Sequence, residues 1–188
     1  MITLCYNTGN ITGQITQSGY GAFVAGIAAS NTTSGSVEGC YNQGNIIAYG
    51  ANSTSAKAVG ITYNAQARSC YNSGTVKSYY VGSSTTETSY SAGISYRQSG
   101  TYQNCYYLQG CASTDMLGSG GTLTNCTYFI KGDGTNGGLI EGDTTRSLLD
   151  AMNSYLADVH NSDHYFYASP DADHLPVLDY VSRNILNY

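Results

Sequence analysis

Apolar residues come in short bursts over residues 1–130, each set off from the next by Gly, Ser, Thr or Asn. One burst carries Ile2, Val37, Ala67, Tyr102 or Leu123, always three residues before a cysteine. A second carries Ile11, Ile46 or Val76, six residues after the cysteine. The third is Ala25-Gly26-Ile27, Val59-Gly60-Ile61 or Ala92-Gly93-Ile94. Each burst has the length of a short strand and too little apolar surface to be stable alone. The pattern therefore predicts three strands per repeat, buried only when successive repeats stack. The Ser/Thr/Gly-rich stretches 28–36, 50–57 and 78–90 read as loops of varying length. After residue 131 the period changes. Leu148, Leu149, Met152, Leu156 and Val159 fall at helical spacing, predicting an amphipathic helix over 144–160 with Asp143 or Thr144 as its cap. Tyr165-Phe166-Tyr167 and Leu175-Pro176-Val177-Leu178 then read as strands.

Around the cysteines the chain repeats residue for residue. Cys5-Tyr6-Asn7-Thr8-Gly9-Asn10-Ile11 returns as Cys40-Tyr41-Asn42-Gln43-Gly44-Asn45-Ile46 and as Cys70-Tyr71-Asn72-Ser73-Gly74-Thr75-Val76. Degraded copies follow at Cys105-Tyr106-Tyr107-Leu108-Gln109-Gly110 and Cys126-Thr127-Tyr128. Like residues in register imply parallel stacking, in which the aligned Ile and Val form a narrow core beside a column of thiols. Asn7, Asn42 and Asn72 would bond to their own copies, and Gly9, Gly44 and Gly74 would supply a turn conformation. The expected fold is all-β: a parallel β-helix of about four coils over 1–130, right-handed because parallel crossovers almost always are. Residues 131–188 would cap its exposed end. An antiparallel propeller or sandwich is the competing arrangement, but it gives no reason for Cys, Tyr, Asn and Gly to repeat in register.

The Ala-Gly-Ile … Cys-Tyr-Asn-x-Gly-x-Ile/Val unit resembles the GLUG-type repeats of bacterial surface and secreted proteins. Cys105-Tyr106-Tyr107-Leu108 with Gly118-Ser119-Gly120 is similar to the last repeat of such proteins from gut Firmicutes. Leu149-Asp150-Ala151-Met152-Asn153 and His174-Leu175-Pro176-Val177-Leu178 resemble their terminal segment. The family's Gly-Gly-Ile/Leu-Val-Gly element stands here as Ala-Gly-Ile or Val-Gly-Ile. The resemblance implies an extracellular or cell-surface setting, adhesion or structural display, and no catalytic residues to carry over.

Composition narrows the partners. Only 10% of the 188 residues are charged, and the net charge is -5, so no basic stripe exists to meet nucleic acid. Nine of the 12 carboxylates follow residue 130, which marks a change of segment. No run of apolar residues is long enough to cross a membrane. The chain starts inside a repeat unit without a signal peptide, and is read as part of a longer protein. Six cysteines allow a disulfide framework, yet Cys5, Cys40, Cys70, Cys105 and Cys126 fill one column, which favours a thiol ladder. Cys111 stands outside it, leaving Cys105–Cys111 or Cys111–Cys126 as candidate bridges.

The strongest candidate ligand surface is the column Tyr6, Tyr41, Tyr71 and Tyr106. If the cysteine points inward its neighbour points outward, giving either an aromatic platform for sugars or rings that merely cover one another. His160 and His164, with Asp158, Asp163 and His174 near in sequence, have the spacing of a metal pair but lack the HExxH glutamate. Asp133-Gly134-Thr135-Asn136-Gly137-Gly138 and Asp171-Ala172-Asp173 contain calcium-type oxygens without a full loop spacing, so they read as turns. Glu38, Glu87, Lys57, Lys77, Arg68 and Arg97 are scattered and form no polysaccharide-cleaving constellation. No Ser-His-Asp set is available, and four glycosylation sequons (at Asn10, Asn31, Asn52 and Asn125) are what an Asn/Thr-rich repeat contains by chance. No cofactor or metal is expected. The expected function is a non-enzymatic surface module meeting glycans or surface proteins. The alternative is a carbohydrate-binding module of a larger secreted enzyme.

Overall fold

A computed structural model describes residues 1–29, 35–52, 54–80, 87–88, 90–96, 100–114, 116–131, 137–143, 145–160, 166–169 and 173–178, without the side chains of 155 and 157–160. The chain is mostly β, with one helix. Four strands, not three, make up each of the first three repeats. They are β1 (Ile2–Thr3), β2 (Tyr6–Asn7), β3 (Ile11–Gln14) and β4 (Ala22–Ala25), then β5 (Ser36–Glu38), β6 (Tyr41–Asn42), β7 (Ile46–Gly50) and β8 (Ala56–Val59), then β9 (Gln66–Arg68), β10 (Tyr71–Asn72), β11 (Val76–Tyr80) and β12 (Ser91–Ala92). Later copies keep only the first two strands: β13 (Thr101–Gln103) with β14 (Tyr106–Leu108), and β15 (Thr122–Thr124) with β16 (Thr127–Ile130).

Each strand pairs in parallel with the equivalent strand of the next repeat. The sheets run β1-β5-β9-β13-β15, β2-β6-β10-β14-β16, β3-β7-β11 and β4-β8-β12. Register follows the motif: Tyr6, Tyr41, Tyr71 and Tyr106 form one row, Asn7, Asn42 and Asn72 the next, and Ile11, Ile46 and Val76 a third. The two shorter sheets end against the segment after β14. There the Val76 amide donates to the Cys111 carbonyl (2.7 Å), and Ala92 bridges to Thr114.

The extra strand comes from a corner that the apolar pattern hides. Leu4, Gly39, Ser69, Asn104 and Asn125, each just before a column cysteine, all have φ between 45° and 61°. This left-handed residue breaks one expected strand into two. The cysteine then spans the corner, its thiol donating to the carbonyl two residues back at 3.2–3.4 Å in all five copies. All six cysteines are free thiols, so neither candidate bridge is formed.

The asparagine row is a directed ladder. Asn7 Nδ2 donates to Asn42 Oδ1 and Asn42 Nδ2 to Asn72 Oδ1, both at 2.7 Å, and Asn72 Nδ2 ends the series on Cys111 Sγ at 3.4 Å. Each amide also donates within its own turn, to the carbonyl of Gly9, Gly44 or Gly74 at 2.7–2.9 Å. Those three glycines do not have positive φ, so the turn conformation expected of them is not their reason. A Cβ on Gly44 would lie 2.0 Å from the Gly9 carbonyl oxygen, and one on Gly74 equally close to that of Gly44. Gly44 and Gly74 are glycine because the backbones touch, whereas Gly9, in the first repeat, has no such neighbour. Gly26 and Gly60 lie across the interior under the same pressure, each hemmed by the next repeat's carbonyl and by Asn42 or Asn72, while Gly93 meets Tyr107, which has taken the asparagine's place.

Residues after 131 cover a flank as well as an end. β17 (Leu139–Ile140) adds antiparallel to β16 and closes that sheet's edge. The helix α1 (Leu148–His160) and the antiparallel pair β18 (Phe166–Ala168) and β19 (Pro176–Leu178) pack instead on the outer face of β6, β10 and β14. The helix starts later than expected. Ser147 is its cap, accepting the Asp150 amide (3.1 Å) while the Ser147 hydroxyl donates to Asp150 Oδ2 (2.6 Å). Asp143 serves the preceding turn, accepting from the amides of Thr145 and Arg146. Thr144 lies outside the described residues.

Two outcomes follow for chemical unfolding. Asn42→Leu strands the Asn7 donor, the Asn72 acceptor and the Gly44 carbonyl, and is expected to cost about 3 kcal/mol, against less than ~1 kcal/mol for Asn7→Leu at the open end. Ser69→Gly relieves a left-handed serine whose buried Oγ has no partner, and is expected to gain about 1 kcal/mol.

Candidate ligand-binding surfaces

The tyrosine row does leave the cysteine side of its sheet, as alternation requires. The cysteines pack in one cluster with Val37, Ala67 and Tyr102, whereas Tyr41, Tyr71 and Tyr106 pack in another with Phe129, Leu148, Met152 and Phe166. The outward face is therefore occupied by the C-terminal segment. Tyr6, Tyr41 and Tyr71 stack at centroid distances of 5.3 and 5.2 Å, and Phe166 meets both Tyr41 and Tyr71 edge-on. The Tyr71 hydroxyl donates to the Pro176 carbonyl and accepts from Gln43 Nε2 at 2.8 Å. Tyr41, Tyr71 and Tyr106 are thus no platform for a sugar. Only Tyr6, 42% exposed at the edge of the row, keeps an open ring.

The residues expected to be structural sit together in the interior. Burial pushes the Cys70 and Cys105 thiols well up and Cys111 up to about 12, and the neighbouring Cys70 thiol together with burial raises Cys40. Cys126 moves the other way, chiefly through its contact with the Cys105 side chain and in smaller part through the Cys105 amide, which donates to its sulfur at 3.4 Å. Burial likewise raises Tyr71 strongly and Tyr106 to about 12.

Other candidates divide. Lys77 pairs with Glu87 (3.3 Å) and Lys131 with Asp173 (2.6 Å), so the latter carboxylate is engaged. His174 Nδ1 contacts the Ser169 carbonyl at 2.9 Å. No metal-type cluster occurs among the described residues. His164, Arg97, Asp171 and residues 133–136 lie outside them, as does the side chain of His160.

The solvent face of β4 and β8 offers what the tyrosine row does not. Phe23 stacks on Tyr63 at 4.5 Å, Tyr63 lies parallel to Tyr96 at 6.4 Å, and Lys57, the register partner of Phe23, puts its ammonium 4.9 Å from the Tyr96 centroid. Phe23 is 39% and nearby Tyr20 59% exposed. A shallow cleft of about 260 Å³ joins Tyr20, Phe23 and Lys57 to Asn52, Thr54 and Ser55. No charge partner of Lys57 appears among the described residues. Phe23 and Lys57 belong to no repeated column, which is why the motif did not single them out. Their signal was the alternation within β4 and β8, which turns both side chains outward.

A second cleft, of about 330 Å³, lies where β16 meets the turn before α1, with Tyr106, Cys126, Thr127, Glu141, Asp143 and Arg146 in its wall.

Comparison with protein-family models, with curated proteins and with solved structures finds no match. No helix among the described residues is long and apolar enough to cross a membrane.

The shifted groups set an alkaline limit. A thiol or phenol held neutral by burial ionises in the unfolded chain near its ordinary value, 9.0 or 10.0, but not in the fold. Its contribution is complete below that value and is lost as pH rises above it. Stability is therefore expected to hold to about pH 9 and then fall. Phenolate absorbance from Tyr71 and Tyr106 should appear only together with the loss of circular dichroism.

Proposed function

We propose that the chain is a right-handed parallel β-helix module of a GLUG-like surface or secreted bacterial protein, acting without catalysis in adhesion or structural display. The observation that carries this reading is how the recurring residues are used. Asn, Cys, Gly, Ile and most of the Tyr are consumed in contacts between repeats or beneath the C-terminal segment, so that repetition builds a rod. The residues outside the repeated columns, Tyr20, Phe23 and Lys57 among them, are what such a rod presents. On this reading residues 1–130 are the rod and 131–188 its cap and lateral brace, and the partners are glycans or surface proteins outside the cell.

A second reading, a carbohydrate-binding module of a larger secreted enzyme, is favoured by one observation. Phe23 and Tyr20 expose aromatic surface beside an ammonium, an amide and two hydroxyls, the groups with which sugars stack and hydrogen-bond.

A glycan and mucin screen separates the two. Tyr20→Ala with Phe23→Ala is expected to reduce retention of any specific glycan at least about tenfold with the melting temperature unchanged, since losing one or two ring contacts costs about that much. Tyr41→Ala with Tyr71→Ala is expected to melt the fold instead. A specific glycan that survives loss of Tyr20 and Phe23 would exclude that face as its site. A well-folded protein that retains no glycan would leave display to protein partners.

A further inference from the structure

The cleft on the face of β4 and β8 carries a charge that nothing in its wall answers. Lys57 leaves β8 between Ala56 and Ala58, which are fully buried, so its side chain turns to the outer side of the sheet. Its ammonium stands 5.6 Å from the Phe23 centroid, 5.8 Å from that of Tyr63 and 4.9 Å from that of Tyr96, and donates to the Tyr63 hydroxyl at 3.5 Å. Ring faces attract a cation and fix its place, but they leave its formal charge unneutralised. The ion pairs among the described residues are Lys77–Glu87 and Lys131–Asp173, and neither involves Lys57. Before residue 110 the only carboxylates are Glu38 and Glu87; the first is buried in the sheet of β5, and the second is held by Lys77.

The other polar groups of the cleft belong to a loop that holds itself together and leaves a donor over. Ser55 Oγ accepts the Asn52 amide and donates to the Asn52 carbonyl, both at 3.0 Å. The Thr54 amide and hydroxyl both donate to Asn52 Oδ1, at 3.1 and 2.9 Å. The acceptor of Asn52 is thereby taken, while its Nδ2 keeps both hydrogens, with no partner among the described residues. Beside these donors lie the open rings of Tyr20 and Phe23. Gly21 makes room for the second ring, since a Cβ there would lie 2.7 Å from Phe23 Cζ. An ammonium and a free amide next to exposed rings, in a wall without a carboxylate, complement a ring-shaped ligand that brings the negative charge itself. A neutral sugar would leave Lys57 unanswered, and a simple anion would leave the rings bare.

We propose that this cleft selects acidic glycans, in which a pyranose carries a carboxylate or a sulfate. The apolar face of the pyranose lies against Phe23 and Tyr20, its anionic group meets the Lys57 ammonium, and Asn52 Nδ2 donates to that group or to the hydroxyl beside it. The assignment rests on the second reading above, that this face binds sugar, and adds to it the sign of the charge. Three rings already hold the ammonium, so little side-chain freedom is lost on binding. With a net charge of -5 the protein as a whole has no general pull on an acidic glycan, which makes its retention depend on Lys57.

The test titrates the protein with sialyllactose and sulfated lactose against lactose, and with a galacturonic acid trisaccharide against its methyl ester. At least one acidic ligand is expected to bind about fivefold more tightly than its neutral parent, as one partly exposed charge pair allows. Which of them does so separates a terminal carboxylate, a polymer carboxylate and a sulfate as the source of the charge. The preference should fade as salt rises from about 50 to about 500 mM. Lys57→Gln should bring acidic and neutral ligands to parity, Lys57→Arg should keep the preference, and Lys77→Gln should leave it unchanged. Circular dichroism checks that each variant is folded. Equal affinity for every acidic ligand and its neutral parent, or a preference that survives Lys57→Gln, would overturn the proposal and leave a neutral sugar site. Binding of none of the five ligands would overturn the proposal together with the sugar-binding reading.

Discussion

Parallel in-register pairing sets the Asn, Tyr and Ile/Val of each repeat against the same or a similar residue one strand away, and the rest of the molecule depends on how that constraint is met. A buried carboxylate or ammonium would repel its own copy, and a buried hydroxyl leaves little to spare for its own turn. An amide carries two donors and an acceptor with two lone pairs, so Asn42 can give one hydrogen to Gly44, the other to Asn72, and still accept from Asn7. The same approach that brings the amides to 2.7 Å leaves no room for a Cβ at Gly44, Gly60 or Gly74. Asparagine and glycine therefore recur together. The amide ladder sets the spacing, and the glycines permit it.

That coupling explains which parts of the fold can be read from sequence. Columns defined by side-chain chemistry are legible, and Cys, Tyr, Asn, Gly and Ile each fall in register with their copies. The corner before each cysteine is not, because its constraint acts on φ and is met by Leu4, Gly39, Ser69, Asn104 and Asn125, which share no single side-chain chemistry. Only Gly39 and the two asparagines belong to types that favour left-handed backbone. A corner met by four residue types in five copies leaves no motif, and so one strand per repeat is not visible in the pattern.

The candidate sites were less legible for a related reason. Alternation correctly turns the tyrosines away from the cysteines, but it does not reveal what lies beyond them. Phe166, Met152 and Leu148 reach Tyr41 and Tyr71 from far along the chain, and Asn153 fixes the approach through a reciprocal pair with the Phe166 backbone at 2.9 Å. Tertiary burial thus converts a row that resembles a binding surface into core. Surface chemistry passes to residues that the repeat does not specify, Tyr20, Phe23, Asn52 and Lys57 on the face of β4 and β8. The repeated residues build the support, and the departures from repetition carry the candidate chemistry.

The most direct test of this account is site-resolved hydrogen exchange of the asparagine side-chain amides by nuclear magnetic resonance. The Asn42 and Asn72 amides, each holding its own turn and the next rung, should exchange slowly and only as their repeat opens, with Asn7 at the open end far faster. Equal, rapid exchange at all three positions in the folded protein would mean that no continuous ladder joins the repeats, and the proposed basis of the stacking would be wrong.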